Sequence, residues 1–380
     1  MIAETRAALI ALAALPAMTP RRLHIVLRHH EPTEALERLR RGFSFAPVVE
    51  PKGLEEMFTA LRTQAKAVDP ESVLGECAAQ RVEVVTKLDP NYPAVLADDP
   101  FQPAVLFVRG SLDVLAARRV AIVGTRNATA AGRATAFELG EALGSDGVAI
   151  VSGLARGIDG AAHRGVRAAE GLAVGVVGNG PDLPYPKQNA DIWEWVADCG
   201  LLVSEWPPGT PPQDFHFPLR NRIIAALGEL LVVVESRERG GSLITARAAL
   251  ERGVTVMAVP GSIRNDAAGG TNKLLVDGAT PVTCVDDVLV GLGLDHSRDL
   301  GRSMLQRPVD RAVDDVSAAV LELCVHAPHT IDMIAQTLGV PVPDAAVALS
   351  RLERVGLVVD TGGWFESAQS KLSGSEARPA

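Results

Sequence analysis

Short apolar runs alternate with Ala-rich stretches between residues 82 and 259, and this alternation restricts the chain to one class of fold. The runs are 82–86, 105–109, 120–123, 149–152, 173–177, 201–204, 230–235 and 254–259. Many end in Gly, Ser, Thr or an acid. Between them, 131–143, 160–169, 189–197, 221–227 and 245–252 read as helices. Strands that are apolar throughout are buried on both faces, and helices must cover them. The expectation is an α/β fold with a doubly wound, mostly parallel sheet. In such a sheet ligands bind beyond the carboxyl ends of the strands.

Composition narrows the function. Hydrophobic residues make up 47% of the 380, ample for a packed core. No apolar run approaches the ~20 residues of a membrane span. The start, Met1-Ile2-Ala3-Glu4-Thr5-Arg6, has an early acid and lacks the apolar region of a signal peptide, which predicts a cytoplasmic protein. Cys77, Cys199, Cys284 and Cys324 form no CxxC pair, so neither a zinc site nor a disulfide framework is expected. No cofactor or metal is expected. The net charge of −9 predicts no general affinity for polyanions, so any nucleic acid must use a local positive groove.

The flanks differ from the centre. Residues 1–75 read as a helical domain. Thr19-Pro20 carries an N-cap and N1-proline signature, and Glu31-Pro32 opens another helix. Up to Phe45 this module has seven Arg against four Glu, which reads as a packing domain with solvated arginines. The central domain spans 80–293, and 294–312 reads as a linker. Residues 313–366 show helix, helix, helix and a glycine-broken hairpin, the order of a winged helix. The polar tail 367–380 is expected to be disordered.

Five loops fall at one edge of the expected sheet. Gly124-Thr125-Arg126 is either an anion-binding turn or an ordinary strand–helix turn with a surface Arg. Gly153 and Gly157 bracket Arg156. Asp159 reads as a helix cap and His163 as a helical histidine beside it, in preference to an acid/base pair. Lys187 lies in a loop rich in Gly and Pro and is a third candidate phosphate ligand; Trp193 and Trp195 read as packing residues. Phe217-Pro218-Leu219-Arg220-Asn221-Arg222 offers an aromatic face, two guanidiniums and an amide. Gly240-Gly241-Ser242, with Thr245 downstream, forms a glycine loop whose N–H groups can approach an anion closely. Together these groups read as a site for a nucleic-acid strand or a nucleotide.

The motifs also carry a resemblance. Residues 120–126 (VAIVGTR), 151–159 (VSGLARGID), Tyr185-Pro186 with Asn189, Ser204-Glu205, 217–222 (FPLRNR), 240–245 (GGSLIT) and 259–261 (VPG) together closely resemble the DprA/Smf family, DNA-processing protein A. The resemblance covers roughly residues 80 to 285. It implies an extended Rossmann-like domain that binds single-stranded DNA, forms a homodimer, and loads RecA onto incoming DNA in natural transformation. It places single-strand contacts at Arg126, Arg156, Lys187 and 217–222. It further implies an N-terminal helical domain of SAM or helix-hairpin-helix type and a C-terminal winged helix.

The chain departs from the family in two places. Segment 15–20 has Ala and Thr where members often have a glycine-bearing hairpin. The third C-terminal helix offers only Arg351 and Arg354, opposed by Asp344 and Glu353, which suits a protein contact better than duplex reading. The alternative to a binding protein is a nucleotide-processing enzyme or nucleotide sensor on a related fold, with Glu205 or Glu235 as the acid. Against it, Ser262-Ile263-Arg264 replaces the Gly-Gly-Thr and downstream Glu that such hydrolases use.

Overall fold

The computed structural model describes residues 2–43, 54–294, 315–354, 357–360 and 363–367. The expected linker, apart from its first residue, and the expected tail beyond residue 367 lie outside these. The chain divides into two compact units, Met1–Asp295 and His296–Ala380.

In the first unit five helices come first: α1 (Ile2–Ala14), α2 (Pro20–Leu27), α3 (Pro32–Arg40), α4 (Leu54–Ala67) and α5 (Pro70–Ala79). The Thr19 hydroxyl accepts the Arg22 N–H at the start of α2, with Pro20 in the first turn, as its cap signature predicts. Leu15 and Met18 are buried between α1 and α2, so this turn is packed rather than open. These helices share one apolar core with Val84, Val105 and Phe107 of the first two strands. Arg6 reinforces that contact through a 2.7 Å ion pair with Asp89.

The rest of the unit alternates: β1 (Glu83–Thr86), α6 (Ala94–Ala97), β2 (Val105–Gly110), β3 (Arg119–Val123), α7 (Ala130–Ser145), β4 (Ala149–Ser152), α8 (Ile158–Ala168), β5 (Ala173–Val176), α9 (Ala190–Cys199), β6 (Leu201–Ser204), α10 (His216–Leu227), β7 (Leu230–Val233), α11 (Ser242–Leu250), β8 (Thr255–Ala258), α12 (Gly269–Val276), β9 (Thr280–Pro281) and α13 (Val285–Gly291). The sheet order is β1-β2-β6-β5-β4-β3-β7-β8-β9. From β6 across to β9 in this order every neighbouring pair is parallel, while β1 pairs with β2 and β2 with β6 antiparallel at one edge. Strands β4, β5, β6 and β7 are buried along their whole length, as their unbroken apolar composition requires. The expected doubly wound sheet is therefore present, with apolar cores on both faces.

One helix starts earlier than its sequence predicts. Residues 217–220 read as the end of a loop, yet α10 begins at His216. Pro218 falls in its first turn, where the missing N–H costs nothing. The motif 217–222 is therefore helical.

The second unit contains α14 (Asp315–His326), β10 (His329–Thr330), α15 (Ile331–Leu338), α16 (Val342–Arg354), β11 (Val358–Asp360) and β12 (Trp364–Ser367). Its strands form a three-stranded sheet in the order β10-β12-β11. Gly339 ends α15 in the left-handed region at φ 65°, the usual place for a glycine C-cap.

Two features of the sheet's cover are testable. Helices α7 and α8 cross closely because they are glycine-lined. A Cβ on Gly165 would overlap the Phe137 carbonyl oxygen, and one on Gly140 the Ala162 carbonyl oxygen. Both obstacles are backbone, which cannot swing aside. Gly165→Ala should thus destabilise the protein by about 1–3 kcal/mol through overpacking, despite the up to ~1 kcal/mol that Ala gains in a helix. Thermal unfolding checks this, and an unchanged midpoint would mean the helices separate freely. His163 is fully buried on α8, its ring nitrogens 3.1 and 3.3 Å from the carbonyl oxygens of Asp159 and Val174. Burial pushes its pKa from 6.5 down to about 4. The unfolded chain therefore takes up a proton at pH values where the folded one does not. This contribution to stability is full above pH 6.5 and is lost as pH falls toward 4. His163→Gln should flatten that acid limb in pH-resolved denaturation; an unaltered limb would assign it to other groups.

Candidate nucleic-acid interface

Parallel strands carry their following loops to a common edge. The loops after β3, β4, β5, β7 and β8 all leave the sheet there, and the N-terminus of α10 joins them. Lys187, Arg156 and Arg126 are exposed on the loops after β5, β4 and β3.

Phe217 stands at the centre, in the first turn of α10. Its ring is half-buried. It pairs with the Tyr185 ring at a centroid distance of 5.6 Å and an interplanar angle of 21°. The Arg126 guanidinium lies over the Phe217 ring, 4.7 Å from its centroid. The aromatic face that 217–222 offers is thus one member of an aromatic and cationic cluster. Sequence reasoning quoted Tyr185 only within a motif; its role as Phe217's partner needed the tertiary structure.

Two cavities flank this cluster. The first, about 440 Å³, is lined by Arg126, Gly153, Arg156, Tyr185, Lys187 and Phe217, among others. The second, about 470 Å³, lies toward the glycine loop and is lined by residues that include Gly124, Thr125, Asn221, Arg237, Arg239 and Gly241. Arg126, Phe217 and Arg220 belong to both walls. Arg237 and Arg239 are exposed and were not foreseen. The available signal was two arginines directly after a buried strand.

Two expected phosphate ligands are structural. Arg220 is only 5% exposed, and its guanidinium donates to the Val176 carbonyl at the end of β5. Burial lowers its pKa to about 10, and the nearby Asp159 carboxylate acts in the opposite direction. It remains cationic at neutral pH. Arg222 turns away from both cavities: its Nη2 donates to Glu205 Oε1 at 2.5 Å, and its Cζ lies 4.3 Å from the Phe101 ring centroid. Helix geometry explains this divergence. At 3.6 residues per turn, Asn221 returns to within about 40° of Phe217, whereas Arg222 sits about 140° away.

The glycines also divide. A Cβ on Gly153 would overlap the Arg220 guanidinium, one on Gly124 would press on Ile158 and the Glu235 carbonyl, and one on Gly240 would overlap Ser236 Oγ. Gly157 adopts φ 79°. These four are demanded by the protein's own packing and backbone. Only Gly241, of the site glycines, has nothing within 4 Å of a Cβ. The Thr125 N–H donates to the Glu235 carbonyl at 2.7 Å, so it is not a donor facing an anion. Ser242 and Thr245 are buried, and Ser242 Oγ donates to Ser236 Oγ at 2.8 Å.

The remaining titratable candidates are also engaged. Asp159 does not cap α8, whose N-cap is Gly157; its carboxylate accepts the Gly153 N–H at 3.1 Å. The Glu235 carboxylate accepts both the N–H and the hydroxyl of Thr129 at 2.8 Å, fixing the start of α7. Glu205 is held by Arg222. Trp193 is buried and Trp195 packs against the same core. Among the described residues, no group of three or more His, Cys, Asp or Glu is placed to hold a metal ion. Likewise, no single described helix is long and apolar enough to cross a membrane.

Comparison with known proteins agrees with this arrangement. The family model for DNA recombination-mediator protein A matches residues 83–293. DNA processing protein DprA of Bacillus subtilis is 40% identical over 232 residues, 60% of this chain and 78% of that protein. The crystal structure of DprA from Streptococcus pneumoniae superposes with a TM-score of 0.62 at 31% identity, over 76% of this chain and 97% of that one. DNA processing protein A from Helicobacter pylori, whose structure describes a single-stranded DNA binding mode, gives a TM-score of 0.51 at 26% identity, over 56% and 97%. With its doubly wound sheet and its motifs carried in order along one edge, the chain belongs to the DNA recombination-mediator protein A family, the DprA/Smf family.

Proposed function

We propose that this chain is a non-enzymatic, single-stranded DNA-binding protein that loads RecA onto incoming DNA in natural transformation and recombination, acting in the cytoplasm as a homodimer. One observation carries the DNA part: an acidic chain collects exposed cations around the pair of half-buried Phe217 and exposed Tyr185 at one sheet edge. Arg126, Arg156 and Lys187 are the phosphate ligands, and Phe217 with Tyr185 forms the base platform. The similarity to the H. pylori protein supports this assignment. RecA loading and dimerisation rest on membership of a recombination-mediator family. We assign the C-terminal unit a winged-helix role in protein contact, because α16 carries few cations.

The platform has a geometric requirement. Inserting a base between two rings needs a gap of about 7 Å, two contacts of ~3.5 Å each. The 5.6 Å separation of Tyr185 and Phe217 is too narrow. A base therefore adds to the outside of the pair, which requires unstacked nucleotides. An enzyme reading gains nothing from the site, since Glu205 and Glu235 are both committed to structural bonds.

Fluorescence anisotropy with labelled oligo-dT tests the reading. Binding to oligo-dT should exceed binding to blunt duplex at physiological salt. Phe217→Ala should weaken oligo-dT binding by roughly tenfold, the effect of losing ~1–3 kcal/mol of stacking. Arg126→Ala should weaken binding and flatten the log–log salt slope by about 0.7. Equal affinity for both DNA forms would overturn the proposal.

Arg222→Ala should behave differently. It leaves the buried Glu205 carboxylate without its partner, and breaking such a pair costs about 3–5 kcal/mol of stability. Per folded molecule, the salt slope for oligo-dT should be unchanged. A normal melting temperature with a flattened slope would restore Arg222 to the DNA interface.

A further inference from the structure

Arg126, Arg156, Lys187, Tyr185 and Phe217 all line the first cavity. The second has its own chemistry, and the topology of the sheet connects the two. From β5 through β4 and β3 to β7, the following loops present Lys187, then Arg156, then Arg126, then Arg237 and Arg239. These exposed cations thus lie in a row across the carboxyl edge, although their chain order is different. Arg126 and Phe217 stand in the walls of both cavities, so the row is continuous there. Beyond Arg126, the second cavity offers Ile244, 48% exposed, as an apolar surface. It also offers Gly241, the site glycine with open space above its Cα. Its acids are Asp214 and the buried Asp159. Arg237 and Arg239 also line the next hollow, where Glu238 and Asp266 stand beside the exposed Ile263, so beyond the second cavity acids enter the row.

We infer that the second cavity is a further nucleotide subsite of the same strand, with Arg237 and Arg239 as its phosphate ligands. This rests on the single-strand reading above. A DNA strand then crosses the sheet edge at right angles to the β-strands. Three strand intervals of ~4.8 Å span about 14 Å, the length of about four stacked nucleotides at ~3.4 Å each. Phosphates on one side of Phe217 meet Lys187 and Arg156, and those on the other meet Arg237 and Arg239. Arg126 sits between them, against the aromatic ring.

The test is a salt-titrated anisotropy measurement with labelled dT20 on the full-length protein. Both arginines are exposed, so Arg237→Ala/Arg239→Ala should keep the parental melting temperature. The double variant should weaken dT20 binding at least tenfold at physiological salt and lower the magnitude of the log–log slope by about 1.4, two counterions at ~0.7 each. Lys273→Ala, which removes an exposed cation on α12 away from both cavities, should leave the slope unchanged. The inference is overturned if the double variant binds dT20 with parental affinity and slope while Phe217→Ala is weakened; the first-cavity reading then stands alone. It is also overturned if Lys273→Ala loses as much per charge, since the effect would belong to the general field. Parental protein that fails to bind dT20 overturns both readings together.

Discussion

Buried Arg220 ties together the elements that form the site. Its guanidinium donates to the Val176 carbonyl at the end of β5, packs against Gly153 just after β4, and draws on the charge of Asp159 in the first turn of α8. Asp159 in turn accepts the Gly153 N–H. One cation thus links α10, two strand ends and a helix start. A buried charge is costly without such compensation. The arrangement compels Gly at 153 and holds the first turn of α10 against the sheet edge. The position of the Phe217 ring depends on it.

Arg222 performs a comparable service on the opposite face of α10. It is paired with Glu205 and stacked on Phe101, whose ring also meets the His24 ring at 4.1 Å. His24 belongs to α2, so a chain of ring and ion contacts runs from the N-terminal helices to the helix that carries Phe217. The loop bearing Phe101 is clamped by Asp99, whose carboxylate accepts from Arg252 at 2.6 Å. The N-terminal helices are therefore part of the scaffold behind the site as well as a flanking module.

The electrostatics follow from this division of labour. The chain is acidic overall, yet Arg126, Arg156, Lys187, Arg237 and Arg239 stay exposed at the carboxyl edge, Arg126 over the Phe217 ring. Those within the same motifs that found carboxylates or carbonyls, Arg220 and Arg222, went into the scaffold. Arginine serves both ends because its forked guanidinium satisfies a buried acceptor as well as a phosphate.

The parallel sheet, its loops gathered at one edge, and family membership were legible in the sequence. Unbroken apolar strands with helices between them admit few other folds, and motif order is a property of the chain alone. Individual roles were not legible, because side-chain direction depends on the element that carries it. Residues 217–220 read as the end of a loop ahead of a helix at 221, but one continuous helix from His216 sends Phe217 and Arg222 to nearly opposite faces. Gly153 and Gly240 read as room for a ligand, and packing shows them as room for Arg220 and Ser236. Conversely, Arg237 and Arg239 carry no motif, and only the strand order places them in line with Arg126. The sequence by itself determined which edge of which sheet gathers the candidate loops. The tertiary structure decided which cations face it, because burial and partner geometry settle whether an arginine is taken into the scaffold or stays exposed at the edge.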